Sequence, residues 1–212
     1  MAHIENEPFF FYYRSKDMNV PIDISNTTLH TERMTLRPWR ESDLYDLYEY
    51  ASIDGVGQMA GWKPHESIEE STMILKMFIE EKKTFALEYQ GKVIGSLGIE
   101  EYNEEHFPEF GQQKAREIGS ILSKDYLGQG LMPEAVKEVI RYLFEDIGLD
   151  LIFCGHFLWN HRSQRVQEKC GFRHYAYDTF ETRLGTVEDN EVNILTKEEY
   201  DAKERNGSEI HE

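Results

Sequence analysis

Basic residues are scarce in this chain: 23 Lys and Arg face 40 Asp and Glu, leaving a formal net charge of −17 over 212 residues. A nucleic-acid backbone demands a basic surface, so this balance argues against that class of partner. An acidic field suits a basic partner, such as an amine or a Lys/Arg-rich segment, and serves solubility equally well. Cysteine is nearly missing. Cys154 and Cys170 lie in apolar stretches without C-x-x-C spacing. That excludes a disulfide framework and a cysteine metal site, and leaves two buried, inert thiols. No metal is expected. No apolar run approaches the roughly 18 residues of a membrane helix. The aromatic run Phe9–Tyr13 is short and lacks the charged flank and cleavage pattern of a secretory signal. A cytoplasmic protein without membrane association is the expectation. Internal repeats and low-complexity linkers are also lacking, so the chain holds one sizeable core plus short appendages.

The expected organisation is an N-terminal extension over 1–28, one domain over 29–200 and a polar tail over 201–212. The run Phe9–Tyr13 would be a costly exposed patch, so it is expected to pack on the domain or on a second subunit, the latter giving a homodimer. Met34–Pro38 reads as a strand. Leu44, Leu47, Tyr48 and Ala51 have helical spacing, with Ser42 as the cap. A loop with Gly55, Gly57 and Gly61 leads through Trp62 to a second helix, opened by Ser67 and Glu70 as a capping box. Two strands follow, hinged at Gln90-Gly91. After an acidic loop come a strand over Arg116–Ser123, a glycine turn, and a helix carrying Val136, Val139, Ile140, Leu143 and Phe144 on one face. Leu151–Phe157 reads as a buried central strand, and Asn160 caps a helix that stops at Gly171. Phe172–Arg183 and Glu191–Thr196 complete an α/β (α+β) arrangement. Hairpins with one strand–helix–strand crossover predict a mixed, mostly antiparallel sheet flanked by helices.

The turn Leu127-Gly128-Gln129-Gly130-Leu131-Met132 stands between a strand and a helix. Glycines there let the backbone turn sharply and approach a ligand closely. The helix start leaves N–H groups unpaired and carries about half a positive charge, which together make an anion site needing no basic side chain. Pro133 suits the first helical position and biases Met132 away from the α region. The expected donors are the amides from Gln129 to Met132, then those of Glu134 and Ala135.

The segment Asn160-His161-Arg162-Ser163-Gln164-Arg165-Val166-Gln167-Glu168-Lys169-Cys170-Gly171-Phe172 closely resembles the N-x-x-S-x-R-V-x-E-K-x-G-F signature of the GNAT acetyltransferases, in particular the RimJ/RimL-type branch. Thr31–Pro38, Val93–Ser96, Glu117–Gly119 and Leu195–Tyr200 resemble the same branch in the same order. The resemblance implies acetyl-CoA as cosubstrate and N-acetyl transfer to a primary amine, such as a protein N-terminal α-amine. The alternatives are a small amine (a polyamine, amino acid or aminoglycoside) and a non-catalytic acyl-CoA sensor. It also implies a GNAT fold splayed between Arg116–Ser123 and Leu151–Phe157. The pantetheine arm would pair there with backbone around Ile121 and Leu122, and the diphosphate would sit on the glycine turn. This chain departs from the superfamily turn pattern R/Q-x-x-G-x-G/A at Leu127 and Met132, which leaves recognition mainly to main-chain amides.

Amine acetylation needs a neutral amine, a stabilised oxyanion and protonation of the departing thiolate. Ser163 is the candidate to donate to the leaving sulfur, directly or through an oriented water. Many members place a tyrosine four residues later, where this chain has Gln167. Asn160 would hold Ser163 and touch the cosubstrate, Glu117 would accept the amine proton through water, and Trp62 would line the acceptor pocket.

Overall fold

The computed structural model describes residues 18–208. The run Phe9–Tyr13, on which the homodimer expectation rests, lies outside them. Among the described residues the eight strands are β1 (Leu29–His30), β2 (Met34–Pro38), β3 (Thr84–Tyr89), β4 (Lys92–Glu100), β5 (Ala115–Leu122), β6 (Leu151–Phe157), β7 (Arg173–Glu181) and β8 (Val187–Thr196). They form one sheet in the order β1-β2-β3-β4-β5-β6-β8-β7. Every pairing is antiparallel except β5 with β6. The α-helices among the described residues are α1 (Leu44–Ala51), α2 (Ile68–Glu81), α3 (Leu131–Arg141), α4 (His161–Cys170) and α5 (Lys197–Ser208). The mixed, mostly antiparallel sheet flanked by helices is thus the one the sequence predicts.

Local chemistry accounts for most of the boundaries. Gln90 and Gly91 both take positive φ, 53° and 79°, as a two-residue hairpin with primed-turn geometry requires. At α2, Ser67 Oγ accepts from the Glu70 N–H at 3.2 Å, but the Glu70 carboxylate accepts from Glu66 N rather than Ser67 N. Ser42 does not cap α1. A short 3-10 turn, Glu41–Asp43, runs into that helix. The buried Asp43 carboxylate holds the Arg40 N–H at 2.8 Å and the buried Arg37 guanidinium at 2.8 and 2.9 Å.

One face of the sheet is covered by α3 and α4. Leu131, Val136, Val139, Ile140, Leu143 and Phe144 pack there with Leu36, Phe85, Leu97 and Ile152. The opposite face is covered by α1 and α2, through Leu47, Tyr50, Ala51 and Leu75. The chain just before β1 belongs to this fold. Ile22 and Ile24 are buried in the main core, and the buried Arg116 guanidinium donates to the carbonyls of Met18 and Val20. The last helix continues past residue 200, where a tail was expected. Thr196 Oγ1 accepts from Glu199 N and Glu199 Oε2 accepts from Thr196 N, a reciprocal box that starts α5. Lys197 and Asp201 then pair one turn apart. No helix among the described residues is long and apolar enough to cross a membrane.

Candidate active site

The site begins with a defect in the sheet. Strands β5 and β6 pair only at Ala115–Leu151, Arg116–Ile152 and Glu117–Phe153, and then diverge. Alternation along the strand decides what the divergence exposes. Ser123 N–H bonds Ile94 O on the β4 side, whereas Lys114 O accepts from Leu151 N on the β6 side. The register carries this parity through β5. The peptide groups of Ile118, Ser120 and Leu122 therefore face the opening, while those of Ile121 face Ser96 on β4. This corrects the expectation of an open Ile121 backbone, which is already engaged, although the residue still lines the opening; Leu122 retains an open edge. Gly95 is required beside this stretch, because a Cβ there would collide with the Ile121 carbonyl.

The divergence opens a cavity of about 260 Å³. Glu117, Leu122, Met132, Asn160, Ser163 and Val166 are among its walls, so sequence candidates from three separate segments meet in one space. A second cavity of about 210 Å³ lies at the glycine turn, lined by Leu122, Gly128, Gly130, Leu131 and Met132. Gly128 and Gly130 both have φ 78°, a left-handed value that glycine adopts without strain. Among the described residues, the N–H groups of Gly128, Gln129 and Gly130 have no hydrogen-bond partner. Gly130 is the N-cap of α3, so Leu131 and Met132 occupy its first turn and add two more unpaired donors.

Three expectations about this turn need correction. Pro133 is the third helical residue rather than the first, because the buried side chains of Leu131 and Met132 draw both into the helix. The Glu134 N–H donates to Gly130 O, and its carboxylate is held by Thr31 and Arg33, so Glu134 offers no free donor. Ala135 is fully buried and lines neither cavity. The Gln129 side chain bends back to Asp125 O, which leaves its main-chain N–H as its contribution.

Three cations join the turn here; in the sequence Arg165 and Lys169 read as a solvated helix face, and Arg162 carries no signal of its own. Arg162, Arg165 and Lys169, one turn apart on α4, line the turn cavity, and no ion pair among the described residues engages them. Their i, i+3, i+7 spacing was the available signal, although a solvated helix face shows the same spacing. Arg33 braces the turn from the other side through Gln129 O at 2.9 Å and Glu134.

At the inner end, Asn160 caps α4. Its Oδ1 accepts from Ser163 N at 3.2 Å, and its Nδ2 donates to Met59 O at 3.2 Å in the loop before α2. Ser163 Oγ accepts from Gln167 Nε2 at 3.1 Å and makes no other hydrogen bond among the described residues. Its own hydrogen is therefore uncommitted. Glu117 sits where the strands part. Burial first, then repulsion from Glu100 and Asp178, pushes its carboxyl up to about 7. A carboxylate so tuned can exchange protons at neutral pH.

Trp62 lies elsewhere. It lines a third cavity, of about 530 Å³, with His65, Glu70, Lys83 and Glu100, on the α1–α2 face of the sheet. The first and third spaces share Ala60, Ile121 and Phe180 as walls. The indole packs against the His65 ring at 5.3 Å, and a Cβ at Gly57 would collide with it. Burial raises both thiols, Cys170 up to about 12, consistent with inert packing.

Comparison with known proteins adds to this geometry. Residues 33–173 match the family described as Acetyltransferase (GNAT) domain. The FsC-acetyl coenzyme A-N(2)-transacetylase of Aspergillus fumigatus is 31% identical over 87 residues, which cover 40% of this chain and 37% of that protein. The matched region thus spans well under half of that relative. The acetyltransferase (GNAT family) structure from Bacillus anthracis superposes with a TM-score of 0.70 at 22% identity, covering 81% of this chain and 99% of the other. Mycobacterium smegmatis RimJ, solved in complex with CoA-disulfide, gives 0.67 at 20% identity over 82% and 88%. At such identities these likenesses speak to the fold.

Proposed function

The chain belongs to the GNAT acetyltransferase family, and on that premise we propose that it transfers the acetyl group of acetyl-CoA to a primary amine. One observation carries the reading: the β5–β6 ladder stops at Glu117–Phe153, and the gap runs from Asn160 and Ser163 to the glycine turn. Its walls fit acetyl-CoA by chemistry. Leu122 and Ser120 offer the unpaired strand edge that an amide-bearing arm needs. The turn amides with Arg162, Arg165 and Lys169 offer donors and charge for phosphates.

Acetyl-CoA supplies a thioester carbonyl, at which a C–N bond to the amine forms as the C–S bond breaks. Glu117 takes the proton that the amine nitrogen loses, through water. Ser163 donates a hydrogen bond toward the sulfur, and the departing thiolate gains its proton from solvent. Asn160 fixes the first turn of α4 and so the position of Ser163.

We place the chain in the RimJ/RimL-type branch and assign an α-amine as acceptor. A base near 7 is matched to an α-ammonium near 8 and poorly matched to a lysine near 10.4. The Trp62 cavity, which shares Ile121 and Phe180 with the donor space, is the acceptor's entry. The test is acetyl-CoA-dependent thiol release with N-terminal peptides, polyamines, amino acids and aminoglycosides. Peptides with a free α-amine should react, and turnover confined to polyamines or aminoglycosides would sink the acceptor assignment.

A further inference from the structure

Gln167 stands where many family members carry a tyrosine, and its surroundings give it a different task. Its side chain is buried on α4, four residues from Ser163. Each of its hydrogen-bonding groups is engaged. Nε2 donates to Gly155 O at 2.9 Å and to Ser163 Oγ at 3.1 Å, and Oε1 accepts from Asn193 Nδ2 at 2.8 Å. Gly155 is the second residue of β6 beyond the last β5 pairing, and its carbonyl has the parity that faces the opening. The Gln167 amide thus replaces the lost strand partner of that carbonyl.

The Gly155 carbonyl fixes which way the amide points, and Asn193 completes the arrangement. A backbone carbonyl can only accept, so the NH2 end must face Gly155. With the NH2 end so placed, the oxygen end faces β8, where the Asn193 NH2 donates to it. With the flip fixed, Ser163 Oγ meets a donor and must accept. A hydroxyl has one hydrogen, and with that hydrogen excluded from the Gln167 side it is left to point into the cavity.

We propose that Gln167, set by Gly155 and Asn193, is a positioning residue that forces the Ser163 hydroxyl to donate toward the sulfur of CoA. The inference rests on the acetyl-CoA reading and adds to it how a serine serves without the tyrosine. Removing the amide would free the hydroxyl hydrogen to turn away from the cavity and would leave the Gly155 carbonyl without its donor. A glutamate would do more, because an ionised carboxylate accepts and would draw the hydroxyl hydrogen onto itself.

The test needs no acceptor. The thiol of bound CoA is titrated by its thiolate absorbance in wild type, Ser163→Ala, Gln167→Met and Gln167→Glu, with CoA binding measured by calorimetry and folding by circular dichroism. A hydrogen bond from Ser163 stabilises the thiolate, so S163A should move ionisation upward by about one pH unit or more. Q167M should move it by a similar amount, Q167E by at least as much, and S163A/Q167M by no more than S163A alone. At a pH well below the ionisation of the bound thiol, CoA affinity should change by less than about threefold. If S163A shifts the titration while Q167M and Q167E leave it at the wild-type value, the positioning role is wrong and the Ser163 reading stands. If Q167M adds its full shift in the S163A background, Gln167 acts by another route. If CoA does not bind wild type, the donor-site reading falls and this inference with it; if CoA binds and S163A shifts nothing, Ser163 does not reach the sulfur and the inference is wrong while the donor site stands. Should Q167M fail to fold, Q167E, matched in size and still a partner for Asn193, decides alone.

Discussion

Replacing Glu117 by glutamine removes a charge whose cost is legible in the fold. The carboxyl sits where β5 and β6 part, and burial with repulsion from Glu100 and Asp178 raises it from 4.5 to about 7. That difference corresponds to about 3 kcal/mol between its two protonation states. The native state keeps the proton between these two pH values and the unfolded chain loses it, so wild-type stability falls as pH rises from about 4.5 to about 7. Glu117→Gln, which never ionises, should match wild type near pH 4 and exceed it by up to about 3 kcal/mol at pH 8. For a domain of this size that is roughly 6–12 °C in Tm. The rate should move the other way. Wild-type kcat rises with pH to a plateau with a midpoint near 7, while E117Q loses that limb and about 100-fold or more in rate. Thermal unfolding at pH 4, 6 and 8 and the pH–rate profile of both proteins supply the test. A variant no more stable than wild type at pH 8 would refute the burial argument. An unaltered pH limb in E117Q would refute Glu117 as base.

Three further outcomes follow from the same geometry. Gly130→Ala places a Cβ at φ 78°, so it should cost about 1–2 kcal/mol in urea unfolding and weaken acetyl-CoA binding measured by calorimetry. Reversing Arg162 and Arg165 to glutamate should raise KM for acetyl-CoA about tenfold or more, with a steep loss of salt dependence and little change in kcat. Asp43→Ala leaves the buried Arg37 with Glu88 as its remaining carboxylate and should destabilise by about 3 kcal/mol, lowering Tm without changing the pH profile.

How much of this was legible in the sequence depends on the range of each interaction. The glycine turn, the Asn160 cap, the Gly171 stop and the Gln90-Gly91 hairpin are local devices, and all stand where the residues put them. Ser42 has the residue type of a cap, but Asp43 takes over that end of the helix because its decisive partner, Arg37, comes from the neighbouring strand. Pro133 sits two positions deeper than its preference suggests, since core burial of Leu131 and Met132 outweighs the bias of a residue before proline. The Ile121 backbone was assigned to the opening although strand parity turns it to β4, and parity depends on register, which one strand alone does not reveal. Gln167 looked like a substitution that merely removed a tyrosine. Its partners, Gly155 and Asn193, are 12 and 26 residues away, and only the sheet brings them to it.

Acetyl transfer itself is most directly tested with isotopically labelled acetyl-CoA, following thiol release and label on the acceptor in the same reaction. The account predicts one labelled acetyl on the α-amine of a peptide for each thiol released, and a rate that Ser163→Ala and Glu117→Gln each lower. Tight acetyl-CoA binding with thiol release no faster than solvent hydrolysis, across every amine class, would contradict it.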